Sequence, residues 1–414
     1  MIDFKANRFL RFYIFIIYIS LGCNLFGQPC AEASLELREV KAIDTDENIR
    51  WEIQNHQVFI NPECTPNDKL VVHLVGSFDN PASTTFFPTF AANQGFKAIN
   101  LKYPNNASAL GTCGSSPDAD CFKKYREEII FGRDESSEVA VDSFNCITFR
   151  LLKLLVYLHD LYPNENWNTF FTNNEIDWSK VILSGHSQGG GHAAFIGKQY
   201  ITDRVLMFAS PNDYSSFFDA PADWTTTVSA TQDSNYFAFG NIFDDVVDFG
   251  KQYQIWENMN LDNLVDSIKV ETSAPPYENT RILYTDDTSS SGFSGNHNAV
   301  IIDDFTPKEN DRPLFIPVWK YMLGMESIIS SDSNIENLEA EIKAYPNPSS
   351  GLLIIESQKK IVKVEVYSIL GKLLKVDYPE NSNFKMALSN FDGLLLINAT
   401  FADFSNEIIT INSK

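Results

Sequence analysis

Blocks of apolar and mixed positions alternate along the chain, and their period identifies the elements. "KLVVHLVGS" (69–77) is a continuous apolar run ending in glycine, the pattern of a strand buried on both faces. "FKAINLKYP" (96–104), "KVILSG" (180–185), "RVLMFAS" (204–210), "YFAFGN" (236–241) and "RILYTDD" (281–287) repeat it. Between them, apolar residues recur three and four apart and predict helices. These helices are "PTFAANQGF" (88–96) with a Gly95 cap, "SFNCITFRLLKLLVYLHDLYP" (143–163) with a Ser143 cap, "GGGHAAFIGKQY" (189–200) and "PLFIPVWKYMLG" (313–324). Residues 28–68 read as edge strands and 105–135 as loop. Strands alternating with helices predict an α/β fold, its mostly parallel sheet covered on both faces.

The pattern changes after Gly324. Residues 325–342 are polar, lack aromatics and read as a linker. From residue 343 short strand-like runs follow one another: "LLIIES", "VKVEVYSI", "KLLKVDY", "FKMAL", "LLLINAT" and "EIITIN". Turn residues separate them at short spacing, which predicts a small β-sandwich over 343–414. At the other end, Lys5, Arg8 and Arg11 precede the apolar "FYIFIIYISLG", and Gly27 offers a cleavage point. Residues 1–27 therefore read as a secretory signal, and the catalytic domain as 28–324. "SLGC" at Cys23 gives lipidation as the alternative, with Ser20 where an aliphatic residue is usual.

Composition narrows the partners. A formal charge of −22 argues against nucleic acid and anionic membranes, and no run reaches the length of a membrane span. Without the signal, Cys30, Cys64, Cys113, Cys121 and Cys146 remain. Cys113 and Cys121 enclose a short polar loop and are the first expected disulfide; Cys30 with Cys64 is the second. Cys146, in an amphipathic run, is expected as a buried free thiol. No Cys/His spacing fits a zinc site, so no metal or cofactor is expected.

The chemistry centres on "GHSQG" (185–189), between a predicted strand and a predicted helix. A serine hydroxyl needs exposure, a base and an orienting acid. A sharp strand-to-helix turn exposes Ser187, and the crowding it creates requires small residues at 185 and 189. This is the G-x-S-x-G nucleophile elbow. Its acid and histidine follow in chain order. His297, in "SGFSGNHNAV", is the one histidine after the last predicted strand, and so the candidate base. His186 and His192 read as packing or hydrogen-bonding groups. Asp244 is the preferred acid, in a D-x-x-V pattern with Val247; Asp245 and Asp213 are the alternatives. Oxyanion donors are expected at the Gln188 and Ser77 backbone N–H groups, with Phe78 as the alternative to Ser77. The pocket is expected from residues 105–140 and 211–233. Phe217, Phe218, Trp224 and Tyr236 are candidates for an apolar lining, or else for core.

With these motifs, residues 65–325 resemble the α/β-hydrolase superfamily. "LVVHLVGSFDNP", "GFKAINLKYPN" and "GHSQGGGHAA" are similar to a group of exported bacterial hydrolases. The resemblance implies an α/β-hydrolase fold and cleavage of carboxylic esters through an acyl-serine. The substrate would be a small-molecule, lipid or polymer ester. The alternatives are peptidase or acyltransferase action on the same triad, or a non-catalytic surface binding protein. "YPNPSSGLLII" (345–355), "VEVYSILGKLL" and "FDGLLLINATF" resemble the type IX secretion sorting domain of Bacteroidetes. That implies engagement by the type IX machinery, passage across the outer membrane, and removal of the domain with release or surface attachment.

Overall fold

The computed structural model describes residues 34–325, apart from 52, 263, 264 and 291. It also describes 342–413, apart from 369–372, 380, 389, 390, 392 and 402–405. The expected signal (1–27), Cys30 and nearly all of the linker lie outside the described residues. The chain divides into two compact units, Met1–Ser327 and Ile328–Lys414.

The first unit is built on a nine-stranded sheet. Its strands are β1 (Glu36–Lys41), β2 (Asn55–Ile60), β3 (Leu70–Leu74), β4 (Lys97–Leu101), β5 (Val181–His186), β6 (Arg204–Phe208), β7 (Tyr236–Asn241), β8 (Ile268–Lys269) and β9 (Ile282–Thr285). They lie in the order β1-β2-β4-β3-β5-β6-β7-β9-β8. β1 pairs antiparallel with β2, and β2 antiparallel with β4; every other pairing is parallel. Of the expected edge region, Glu36–Lys41 and Asn55–Ile60 supply the antiparallel edge. All of β3, β5 and β7 is buried, which accounts for their unbroken apolar runs.

Side-chain alternation divides the core between the faces. Val72, Leu74, Leu183, Val205 and Met207 point to one face. There they meet helices α3 (Cys121–Phe131), α4 (Ile147–Leu161) and α5 (Gln188–Gln199). Val71, Ile182, Leu206, Phe208 and Phe239 point to the other face, against α1 (Phe86–Ala92) and α8 (Ile316–Met322). Trp319 of α8 is fully buried and packs edge-on against Phe87 of α1 at 5.9 Å. Among the described residues no helix is long and apolar enough to cross a membrane.

Two helical assignments differ from expectation. The 105–135 stretch, read as loop, contains α2 (Ala109–Cys113) and α3. Arg126 and Glu128 obscure the apolar face of α3 in the sequence, yet both are buried. Glu128 accepts the backbone N–H groups of Ser136 at 2.8 Å and Val141 at 2.9 Å. Helix α4 starts at Ile147 with Cys146 at its N-cap, not at a Ser143 cap. The preceding residues form a turn in which Asn145 donates its backbone N–H to Asp142. Cys113 and Cys121 form a disulfide that joins α2 to the start of α3. Cys64 is disulfide-bonded, and Cys146 is a buried free thiol.

The second unit is a near-closed barrel of one six-stranded sheet, not the expected two-sheet sandwich. "LLIIES" and "VKVEVYSI" read as separate strands, but they belong to one strand, β11 (Leu352–Ser368). Before it comes β10 (Ile342–Tyr345); after it come β12 (Leu373–Asp377), β13 (Asn381–Ala387), β14 (Gly393–Phe401) and β15 (Asn406–Ser413). The first half of β11 pairs with β10 and β13, and the second half with β12 and β14. The inward apolar positions run Leu353, Ile355, Ile361, then Val364 and Val366. Their phase slips where the β11–β14 register shifts, between Ile361 and Lys363. The Ser349 N–H then donates to Asn412 O at 2.8 Å, tying the turn after β10 to β15 and drawing the sheet's ends together. A single curled sheet therefore encloses this core.

Candidate active site

Ser187 stands between β5 and α5 at φ 53°, ψ −121°. A non-glycine residue in this region carries steric strain and is held there by its surroundings. Its N–H donates to Phe208 O at 2.9 Å, which fixes the turn to the end of β6. The strain requires the two flanking glycines. A Cβ on Gly185 would overlap the Gly189 carbonyl, and one on Gly189 would overlap the Leu74 carbonyl. Gly189→Ala is therefore expected to destabilise the first unit by at least about 3 kcal/mol. Urea unfolding of the purified variant measures it, and an unchanged midpoint would contradict this packing.

The Asp244 and His297 side chains meet across two loops. Asp244 follows β7; His297 lies in α7 (Gly295–Asn298), a one-turn helix in the loop after β9. His297 Nδ1 is 2.7 Å from Asp244 Oδ2, and the Asp244 side chain is fully buried. Only the imidazole can donate in this pair, since an ionised carboxylate accepts. Asp244 Oδ1 accepts the Val246 and Val247 N–H groups at 2.9 Å each, and Oδ2 also accepts Gln252 Nε2 at 2.8 Å. Burial alone raises the Asp244 carboxyl. The hydrogen bond and charge of His297, with the two backbone donors, outweigh burial and hold it below the ordinary carboxylate range.

The alternatives to Asp244 are committed elsewhere. Asp245 Oδ1 accepts the His297 backbone N–H at 3.1 Å. Asp213, 1% exposed, lies against Arg126, with Nε at 2.6 Å from Oδ2 and Nη2 on Oδ1. Its Oδ2 also accepts Trp224 Nε1 at 2.7 Å. His186 packs beside Ser187: its ring is 4.9 Å from that of His297, and its Nε2 is 3.3 Å from His297 O. Burial, then the charge of His297, pushes the His186 imidazole well below its ordinary value. His186 is thereby kept neutral as a packing partner. Among the described residues, the buried His297 Nε2 has no protein partner.

Among the described residues, neither the Gln188 nor the Ser77 N–H has a backbone acceptor outside the regular elements. Gln188 is the first residue of α5, where N–H groups have no intrahelical partner. In the loop after β3, the Phe78 N–H is consumed by Asn105 O at 2.8 Å, which leaves Ser77 as the better of the two expected donors. Gln188 joins the loops: its Oε1 accepts Ser77 Oγ and the Ala109 N–H, both at 2.8 Å.

The sequence reading missed two buried neighbours. Asn212 Nδ2 donates to Ser187 Oγ at 3.3 Å; its place directly after β6, in "SPND", is the only sequence signal. Arg126 donates to Gln188 O at 3.2 Å from beneath α5, filling the space that a Cβ on Gly191 would need. A charge on an otherwise apolar helical face marks it. Of the candidate pocket aromatics, Trp224 and Tyr236 are core, whereas Phe217 and Phe218 are exposed and pack edge to face at 4.9 Å. A hollow of about 280 Å³ lies by the Asp244 turn, between Leu110, Gly114, Tyr214, Val246, Val247 and Lys251. Among the described residues no three His, Cys, Asp or Glu side chains converge as metal ligands.

No curated protein matches the chain. Residues 343–400 match the secretion system C-terminal sorting domain. The chain therefore joins an α/β unit with a mostly parallel sheet to a type IX secretion sorting domain, which the secretion machinery engages, and the protein is secreted or held at the cell surface.

Proposed function

We propose that the first unit is a serine hydrolase that cleaves carboxylic esters through an acyl-serine, with Ser187 as nucleophile, His297 as base and Asp244 as acid. The observation that carries this reading is the 2.7 Å contact between His297 and a buried, multiply bonded Asp244, in loops at the same end of the sheet as the strained turn bearing Ser187. Asp244 holds the proton on Nδ1, so Nε2 is left to accept the serine proton. Ser187 attacks the ester carbonyl and His297 Nε2 takes its hydroxyl proton. The Gln188 and Ser77 N–H groups donate to the oxyanion, and the alcohol leaves with the proton from Nε2. Water then repeats the sequence on the acyl-enzyme. Asn212, already donating to Ser187 Oγ, holds the side chain in place. We also assign residues 28–324 as the catalytic domain, 325–342 as the linker and 343–414 as the sorting domain.

A fluorophosphonate probe tests the nucleophile directly. It is expected to label the wild-type protein at Ser187 and to leave Ser187→Ala unlabelled; labelling elsewhere, or none, would refute the reading. The 280 Å³ hollow suits a short acyl chain. Among p-nitrophenyl esters, acetate and butyrate are expected to exceed laurate by at least about tenfold in kcat/KM. A preference for laurate would exclude this hollow as the acyl site. Every assigned site residue lies in the first unit, so a chain of residues 28–325 is expected to keep near-full kcat/KM. In the native host that shortened chain should remain in the periplasm. If it melts cooperatively but is inactive, the C-terminal unit contributes to catalysis.

A further inference from the structure

A second hollow, of about 530 Å³, opens at the same end of the sheet between β1, β2 and the loop after β3. Its wall includes Glu39, Gln54, Gln57, Phe78, Asn80 and Asn106. We propose that this hollow binds a neutral sugar residue, making the substrate an ester carried on a carbohydrate chain. The substrate statement rests on the serine-hydrolase reading; the sugar site does not.

The wall chemistry selects the ligand. Amides and carboxylates match hydroxyl groups, which donate and accept at once. Gln57 is 3% exposed, and among the described residues its Oε1 has no partner. An unpaired buried acceptor is unfavourable by about 1–3 kcal/mol, which a ligand hydroxyl would offset once the Gln57 amide turns to meet it. Phe78 faces outward, 73% exposed, from a backbone held at φ 64°. An exposed ring beside hydrogen-bonding amides offers a platform for the C–H face of a pyranose. A uronate is disfavoured. Lys102, also in the wall, is buried, and its ammonium already donates to Asn105 Oδ1 at 2.8 Å, while Glu39 and Asp79 add negative charge.

The hollow also borders the proposed oxyanion loop. Asn105 Nδ2 donates to Gly76 O at 2.6 Å and to Asp79 O at 2.8 Å, clamping the segment that carries Ser77 and Phe78. β4 and β2 lie two and three strands from β5. At roughly 4.8 Å per strand, the hollow is on the order of 10–15 Å from the serine. That distance suits a ring next to, or one residue removed from, the acylated one.

Binding tests the site independently of catalysis. Full-length Ser187→Ala is titrated calorimetrically with xylohexaose, mannohexaose and cellohexaose. At least one is expected to bind with Kd of about 1 mM or tighter, and adding Phe78→Ala or Gln57→Leu should weaken it by at least about tenfold. Phe78 is exposed, so its variant stays informative if Gln57→Leu fails to fold. The site is refuted if none of the three binds, or if Phe78→Ala binds as tightly as its parent. Wild-type protein is assayed in parallel on p-nitrophenyl acetate and on acetylated xylo-oligosaccharide. Cleavage of the first without sugar binding would overturn the sugar site and leave the hydrolase standing. Sugar binding without cleavage of either would support the site and overturn the hydrolase.

Discussion

Ser187→Ala is expected to lower kcat for p-nitrophenyl butyrate by at least about a thousandfold while the protein still folds, because triad losses are of that order. Among the described residues the hydroxyl has one hydrogen-bond partner, Asn212 Nδ2 at 3.3 Å, so its removal costs little packing. His297→Ala should fall to a similar level, and the double variant should be no worse than either single one, since the two groups act as a unit. Asp244→Asn should lose about as much. An amide there can no longer accept the Nδ1–H, the Val246 and Val247 N–H groups and Gln252 Nε2 as a charge. Asp245→Asn should stay within about tenfold of wild type, because Asp245 accepts the His297 backbone N–H rather than its ring. Asp213→Asn should lower stability more than kcat, since it leaves the buried Arg126 without its ion pair. Retention of more than about a tenth of wild-type kcat by either Ser187→Ala or His297→Ala would refute the triad. A larger kcat loss at Asp213 than at Asp244 would move the acid to the loop after β6.

Six of the seven parallel strands were legible because they are largely buried on both faces, and such burial writes an uninterrupted apolar run; β8, a half-buried pair of residues at the sheet's edge, was not read. "YFAFGN" corresponds residue for residue to β7. The glycines around Ser187 were legible for a similar reason, because backbone approach at Gly185 and Gly189 permits no Cβ. The reading failed where burial was polar. Helix α3 contains Arg126 and Glu128 on its inner face; the ion-pair partner, Asp213, lies far along the chain, and the backbone groups that Glu128 accepts lie beyond the helix. Pattern reading sees only that the apolar stripe is broken. Asn212 was missed because a single amide after a strand has no period at all. In the C-terminal unit, the runs that form β11 to β15 were read, but β10 was not, and neither was the joining of two runs into β11. Whether a polar stretch such as 357–360 turns the chain or continues the strand is decided by pairing partners, and these lie at 342, 381–383 and 401.

Lowering the pH from 6.5 to 5 is expected to destabilise the first unit steeply. His56, His73, His186 and His192 are each at most 3% exposed. Burial depresses all four imidazoles, His56 and His73 to about 3, and His186 and His192 well below the ordinary value of 6.5. Their surroundings reinforce the neutral form. His56 Nδ1 accepts the Lys102 N–H at 3.0 Å, and His192 Nδ1 faces the Arg126 guanidinium at 3.2 Å. In the unfolded chain each titrates near 6.5, so below that pH the unfolded state binds protons that the folded state refuses. Stability is therefore complete above about pH 6.5 and falls as pH drops towards the folded values. Each such histidine contributes a slope of up to about 1.4 kcal/mol per pH unit, so the four together approach 5 kcal/mol per unit. Asp244, whose folded value is depressed, acts only below the ordinary carboxylate range, outside this window. Tm for residues 28–325 should thus fall by on the order of 10 °C between pH 6.5 and 5. His56→Gln should reduce the slope of stability against pH by about one quarter, whatever it does to Tm at pH 7. A melting temperature flat across this window would show that these imidazoles take up protons within the folded chain, and would overturn the dry packing around β3 and α5.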